Sequence, residues 1–302
     1  MIPILVVYFN RPKHLEVLLL SLKTFKPKVI YFSCDGAREG NQVDPINIEK
    51  CNAIIERLVD WSCEKKFLKS DQNKGCDEWV PESISWFFSQ ETKGIILEDD
   101  CIIDVNYYLF ASELLDKYSE DEEIMNISAM SLKKDVCRNY FDYYFSCYPL
   151  TWGWATWKRA WGNYQSTVSQ KTYRDEVVGW LISRGFSNEE IEYWDKFFSR
   201  LESGQVKFWD AKWIYSIWLK KAYSITPNVN LVKNIGYGDD ATHMKWKEEI
   251  NDMETGKIFL PLSHPSSTFI ESNNDRKTFI YKYKFTIKKK ILYLIKIMFR
   301  ML

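Results

Sequence analysis

The chain has 302 residues, 46% hydrophobic and 27% charged, which is long enough to bury a core and too apolar for a disordered segment. Lysine plus arginine equals aspartate plus glutamate at 41 each, so no global field favours nucleic acid. Seven cysteines without CxxC spacing point to neither a zinc ribbon nor a disulfide framework, and fit a reduced compartment.

The opening Met1-Ile2-Pro3-Ile4-Leu5 runs directly into a strand pattern without the basic and long apolar regions of a secretory signal, so a cytoplasmic location is expected. Residues 4–9 are an apolar run ending at Asn10-Arg11-Pro12, and the spacing of Leu15, Leu18, Leu19 and Leu22 predicts a helix over 13–23. Residues 29–34 give a second strand closed by Asp35-Gly36. Asp44-Pro45 predicts an N-cap followed by proline at the first helical position, opening a helix to about residue 61. A short strand at Phe67-Leu68, a polar turn over 71–75 and a helix over 78–89 lead to a fourth strand, Gly94-Ile95-Ile96-Leu97. This alternation predicts an α/β fold with a mainly parallel sheet flanked by helices.

The fourth strand ends in Glu98-Asp99-Asp100, with a helix expected over 101–118. Three adjacent carboxylates repel one another, and either solvent or a shared hard cation relieves that repulsion. Mg²⁺ and Mn²⁺ prefer oxygen, usually one or two carboxylates completed by phosphate oxygens. In a parallel sheet these acids share one edge with Arg11, which can pair with a phosphate, and with Asp35, which can accept hydrogen bonds from a nucleoside or simply close a tight turn. Neither GxGxxG nor GxxxxGK[ST] is present, so an ordinary dinucleotide site or a P-loop is not supported.

Downstream, Thr151-Trp152-Gly153-Trp154-Ala155-Thr156-Trp157 is either an aromatic core loop or a wall for a sugar ring. The 13 tryptophans of the chain serve both ends, as core and as apolar faces for sugars. Phe208-Trp209-Asp210-Ala211-Lys212-Trp213 sets one carboxylate among aromatic rings, an environment expected to raise its pKa toward that of a base, and Asp210 is equally suited to cap a helix over 211–221.

The opening strand with Asn10-Arg11-Pro12, Asp35-Gly36, Asn73-Lys74-Gly75 and Glu98-Asp99-Asp100 together resemble the GT-A fold glycosyltransferases, with greatest likeness to bacterial relatives of the N-acetylglucosaminyltransferase I type. The resemblance spans roughly residues 1–245. It implies a Rossmann-like nucleotide-diphospho-sugar transferase using Mn²⁺ or Mg²⁺ and a UDP-sugar, with UDP-GlcNAc or UDP-galactose the first candidates. It implies a saccharide or lipid-linked acceptor, transfer with inversion, and a role in cell-surface glycan synthesis. By the same resemblance Asp100 holds the metal with His243, Asp210 is the base, and Asn10, Arg11, Asp35, Lys74, Glu98, Asp99 and Trp154 contact the donor.

Residues 234–243 are glycine-rich and polar and are expected to form a surface loop, on which His243 is either a ligand or merely exposed. After Asp275 the chain has no acids and mixes lysine with aromatic and aliphatic residues, too interrupted to span a bilayer. That composition suits an anionic membrane surface, with packing on the catalytic domain or nucleic-acid binding as alternatives. The expected organisation is a catalytic domain over 1–265, divided into a nucleotide-sugar part over 1–101 and an acceptor part over 102–265. A membrane-surface tail over 266–302 would hold the enzyme at the inner face of the cell membrane.

Overall fold

The computed structural model describes residues 2–132, 141–237, 253–267 and 272–284. His243 lies outside the described residues, as does the tail beyond Lys284.

The first half alternates as its pattern predicts: β1 Ile4–Tyr8, α1 Pro12–Lys23, β2 Val29–Cys34, α2 Val43–Leu58, β3 Glu64–Lys69, α3 Cys76–Gln90 and β4 Lys93–Glu98. Leu15, Leu18, Leu19 and Leu22 of α1 are all fully buried, each stabilising the layer by about 1.5–3 kcal/mol. Strand β3 and helix α3 extend beyond the expected Phe67-Leu68 and 78–89, and both ends of α2 differ from expectation. Asp44 lies inside the first turn of α2, and its buried carboxylate takes Arg38 and Asn10 instead of capping the helix. The helix also stops at Leu58, because Val59 leaves helical geometry (φ −85°, ψ 68°).

The residues after the acid triplet do not continue straight into a helix. Cys101–Ile103 forms a short strand, β5, and α4 Val105–Lys117 begins after Asp104, whose side chain accepts from the Asn106 N–H. Then come β6 Ile124–Ser128, β7 Tyr143–Ser146, β8 Trp154–Trp157, α5 Lys158–Trp161, α6 Gln170–Thr172, a π-helical turn Tyr173–Val177, α7 Val178–Ser183, α8 Asn188–Glu202, α9 Trp209–Leu219, β9 Tyr223–Pro227 and β10 Val232–Asn234. A helix α10, Ser272–Thr278, runs into a π-helical turn, Phe279–Tyr283.

Eight strands form one sheet in the order β3-β2-β1-β4-β8-β6-β9-β7, and β5 pairs with β10 as a separate ribbon. Strands β3, β2, β1 and β4 are mutually parallel, and β8 joins antiparallel to β4. Chain order reverses direction across the sheet between β1 and β4. In an open α/β sheet the crevice outside the carboxyl ends at such a switch point is where ligands bind. The register Val7↔Glu98 brings the Asn10-Arg11 turn beside the acid triplet. Antiparallel pairing of Ile96 with Trp154 delivers Thr151 and Trp152 to the same edge, and Asn234 opposite Cys101 delivers Gly236.

The expected free tail is docked over part of its length. Asp275, 2% exposed, accepts from the Ser146 hydroxyl and from the Cys147 N–H at 2.9 Å. Arg276 pairs with Glu189 at 2.8 Å and Lys284 pairs with Glu189 at 2.5 Å, fixing Ser272 to Lys284 against the start of α8. No helix among the described residues is long and apolar enough to cross a membrane.

Candidate active site

Two adjoining clefts open at the carboxyl edge of β1 and β4. The larger, about 880 Å³, lies against the ends of β1 and β2 and includes Asn10, Arg11, Asn73, Trp79 and Asp99. The smaller, about 240 Å³, contains Glu98, Asp100, Trp152, Lys207, Trp209 and Asp210. Arg11, Cys76 and Glu98 belong to both.

The three acids of the triplet have separate environments. Asp99 is 2% exposed, and both its oxygens accept from Arg11, so it holds the guanidinium in place at the edge of the larger cleft. Asp100 lies 3.0 Å from Arg11, and its other oxygen accepts from the Asn234 side chain at 3.2 Å. Burial works against the charge of Arg11, but Asp99 and Asp100 more than offset it and hold its pKa above the ordinary arginine value. Glu98 stands at the floor where the clefts meet. Burial, reinforced by the charge of Asp100, pushes its pKa up to about 8.

Asp35 is a loop organiser. It is 6% exposed and accepts from the Gly36, Lys74 and Gly75 N–H groups at 2.9, 2.9 and 2.8 Å and from the Asn73 amide at 3.1 Å. Its oxygens are thereby committed to shaping the 73–75 turn ahead of α3, which leaves little capacity for the nucleoside expected of it. Asn10 donates to Asp44 at 2.7 Å. Lys74 pairs with Glu82 at 2.6 Å and lies over the Trp79 ring, so its charge is also committed.

Trp154 does not contact a ligand from its present place. It is 1% exposed in β8 and packs on Trp161, Trp209 and Trp213 with ring centroids 5.7–6.2 Å apart. The cleft-facing indoles are Trp152 and Trp209. Gly153, expected to admit a ligand, adopts φ +60° and would place a Cβ 3.3 Å from both Ile103 and Val232, so the absence of a side chain serves core packing. Most of the tryptophan surplus is likewise core, Trp194, Trp213 and Trp218 being fully buried.

Asp210 is the second residue of α9, one position past the expected cap, because the helix begins at Trp209 and Phe208 supplies the cap residue. Its carboxylate is half-buried, faces the smaller cleft and accepts from the Ala211 N–H at 3.0 Å. Lys212, two residues on, pairs with Asp77 at 2.6 Å and so ties the first turn of α9 to the first turn of α3. Chain separation hides this brace, and Cys76 and Lys207 in the clefts, from a reading of local sequence.

A divalent cation fits the donor set in one restricted way. Among the described residues no group of three or more His, Cys, Asp or Glu could hold a metal by itself. Glu98 and Asp100 nevertheless open on one cleft, and Gly236 passes so close that a Cβ there would collide with the Asp100 carboxylate. Two carboxylates, with phosphate oxygens completing the shell, suit Mg²⁺ or Mn²⁺.

Fold and site together define an α/β protein with acid-bearing clefts at a Rossmann-like switch point. No protein-family model matches the chain, and no curated protein matches its sequence. Among solved structures, HddC from Yersinia pseudotuberculosis is 12% identical over 59% of this chain and 86% of its own, with TM-score 0.34. A 4-diphosphocytidyl-2C-methyl-D-erythritol synthase from Anaerococcus prevotii is 12% identical over 67% of this chain and 84% of its own, with TM-score 0.35. An apo UDP-glucose pyrophosphorylase is 10% identical over 75% of this chain and 90% of its own, with TM-score 0.35. These are partial likenesses, and the reading of the site rests on its own residues.

Proposed function

We propose that the protein is a metal-dependent GT-A glycosyltransferase that moves a sugar from a nucleotide diphosphate sugar, with UDP favoured, to a hydroxyl of a saccharide or lipid-linked acceptor. The observation that carries this reading is that Glu98, Asp100 and Asp210 share one 240 Å³ cleft beside a second of about 880 Å³, ample for a nucleotide. Glu98 and Asp100 would hold Mn²⁺ or Mg²⁺, which supplies charge neutralisation for a departing diphosphate. Whether His243 adds to that set rests on residues beyond those described.

The chain's own groups divide the remaining work. Arg11 spends Nε and Nη2 on Asp99 and Asp100, leaving Nη1 to meet a phosphate oxygen. Trp152 and Trp209 offer apolar surface to a sugar ring. Asp210 takes the proton of the attacking hydroxyl, and attack opposite the leaving group inverts the anomeric centre. The balanced total charge suits a saccharide acceptor better than nucleic acid, and the lysine-rich residues after 284 would hold the enzyme at the anionic inner face of the membrane.

Calorimetry of a panel of nucleotides and nucleotide sugars, with and without Mn²⁺, tests the donor site on wild type and Asp100→Ala. Metal-dependent binding of one nucleoside diphosphate, weakened at least about tenfold by the substitution, is expected. If the wild-type chain binds no nucleotide under either condition, the transferase reading fails.

A further inference from the structure

The carboxylate of Asp100 is held from three sides, and two of them belong to one short stretch late in the chain. Cys101 pairs with Asn234 across the β5–β10 ribbon, and the Ile235 N–H donates to the Asp100 carbonyl at 2.9 Å, so the backbone after β10 is fixed against the end of β4. Asn234 is 5% exposed. Its side-chain nitrogen donates to Asp100 Oδ1 at 3.2 Å and lies 3.9 Å from the Cys101 sulfur, while its side-chain oxygen accepts from the Gly236 N–H at 2.9 Å. That last bond orients the amide: its oxygen meets the Gly236 donor, so its nitrogen faces the carboxylate.

The two oxygens of Asp100 have different neighbours. Oδ1 carries the hydrogen bonds, from Asn234 and, weakly, from the Cys101 thiol at 3.4 Å. Oδ2 carries the ion pair with Arg11 at 3.0 Å, and a Cβ on Gly236 would collide with it. An exposed aspartate turns broadly about its last torsion, whereas this one is confined. The confinement matters to a cation. Ca²⁺ readily takes a carboxylate through both oxygens in a flexible shell, while Mg²⁺ demands near-ideal octahedral geometry at shorter distances, and Mn²⁺ also favours six oxygens. An oxygen that already accepts a hydrogen bond is a weaker metal ligand, so the Asn234 bond on Oδ1 works against chelation by both oxygens.

We propose that Asn234 is a positioning residue for the metal site: by occupying Oδ1 it makes Asp100 a one-oxygen ligand, and so sets a preference for Mn²⁺ and Mg²⁺ over Ca²⁺. This rests on the reading that Glu98 and Asp100 hold a divalent cation, and it adds the residue that decides which cation is held. Gly236 has the complementary part, since the missing side chain leaves Oδ2 where Arg11 meets it.

The full chain is titrated with Mn²⁺ alone, free metal being read by electron paramagnetic resonance, and Ca²⁺ and Mg²⁺ are then scored by displacement. Removing a residue that orients a metal ligand typically weakens binding by about 10–100-fold, so Asn234→Ala is expected to lose Mn²⁺ affinity by about tenfold or more. Ca²⁺ affinity should change by less than about threefold, because the freed Oδ1 offers that ion a second oxygen. The ratio of the two affinities is the decisive readout, since a residue that only supported the fold would weaken both ions alike. Gly236→Ala turns the carboxylate away from Asn234 without altering the amide, and the same change of ratio is expected; it decides the matter should Asn234→Ala not fold. Urea unfolding without metal records the stability of each variant separately. A wild type that binds Mn²⁺ no better than Ca²⁺, or an unchanged ratio in the folded variants, overturns the proposal and leaves the metal reading standing. A wild type that binds neither ion overturns the metal reading, and this proposal with it.

Discussion

The two sides of the active region handle charge in opposite ways. On the β1–β2 side the acids are committed: Asp99 to Arg11, Asp35 to the 73–75 turn, Asp44 to Arg38 and Asn10. On the α9 side, Asp210 and Lys207 line the smaller cleft beside Trp152 and Trp209 and form no ion pair with a described residue. Committed charges shape a cavity and hold it through a reaction cycle. Uncommitted ones retain the capacity to act on whatever enters. On the reading proposed above, shape lies on one side of the switch point and chemistry on the other.

Substituting one residue of each kind separates the two roles. Asp210→Asn is expected to slow transfer by about a thousandfold, since a positioned base contributes on the order of 10²–10⁴. Nucleotide affinity should stay within about twofold and stability within about 0.5 kcal/mol. A transfer rate within a factor of about three of wild type would remove Asp210 from the chemistry. Arg11→Met should act mainly on stability, because it strands the buried Asp99 carboxylate and costs about 4 kcal/mol in urea unfolding, and should also weaken nucleotide binding through loss of its phosphate contact. A cost below about 1 kcal/mol would mean that Asp99 is not held by that pair.

Asp275 sharpens the contrast, being a committed acid on the α9 side. Burial raises its pKa to about 6 from an ordinary 3.8, against the opposing hydrogen bonds from Ser146 and Cys147. The folded chain therefore holds the proton more tightly than the unfolded one between those values. Stability should fall as pH rises from about 3.8 to 6, by on the order of 3 kcal/mol, and level off above. Comparing urea midpoints of wild type and Asp275→Asn across that range isolates the contribution. Parallel curves would show that the residue does not titrate there.

Strands β1, β2 and β4 were legible because buried parallel strands are written as apolar runs, and their parallel direction puts their carboxyl ends on one edge; β3, with the sequence EKKFLK and largely exposed, showed only Phe67-Leu68. The partners that commit each charge were not legible. Asp35 meets Gly75 across 40 residues and Arg11 meets Asp99 across 88, and no local pattern encodes such pairs. Among the clustered tryptophans, Trp154 and Trp157 lie in β8, whose four residues are all buried, while Trp152 precedes the strand and reaches the cleft, and that depends on where β8 begins. The sequence alone therefore does not separate Trp154, in the core, from Trp152, at the cleft. The docking of residues 272–284 was hidden because their lysine-rich composition is equally that of a membrane-facing tail, and Asp275, Arg276 and Lys284 find their partners far back in the chain.

That anchor also orders events during synthesis. The Ser146 hydroxyl and the Cys147 N–H emerge from the ribosome 129 and 128 residues ahead of the carboxylate that satisfies them. At about 5–20 residues per second, the nascent protein spends several seconds with the first strands complete and the segment that covers Ser146 and Cys147 still unmade. Translation speed through that stretch thus sets how long an incomplete, aromatic-lined surface is open to wrong partners.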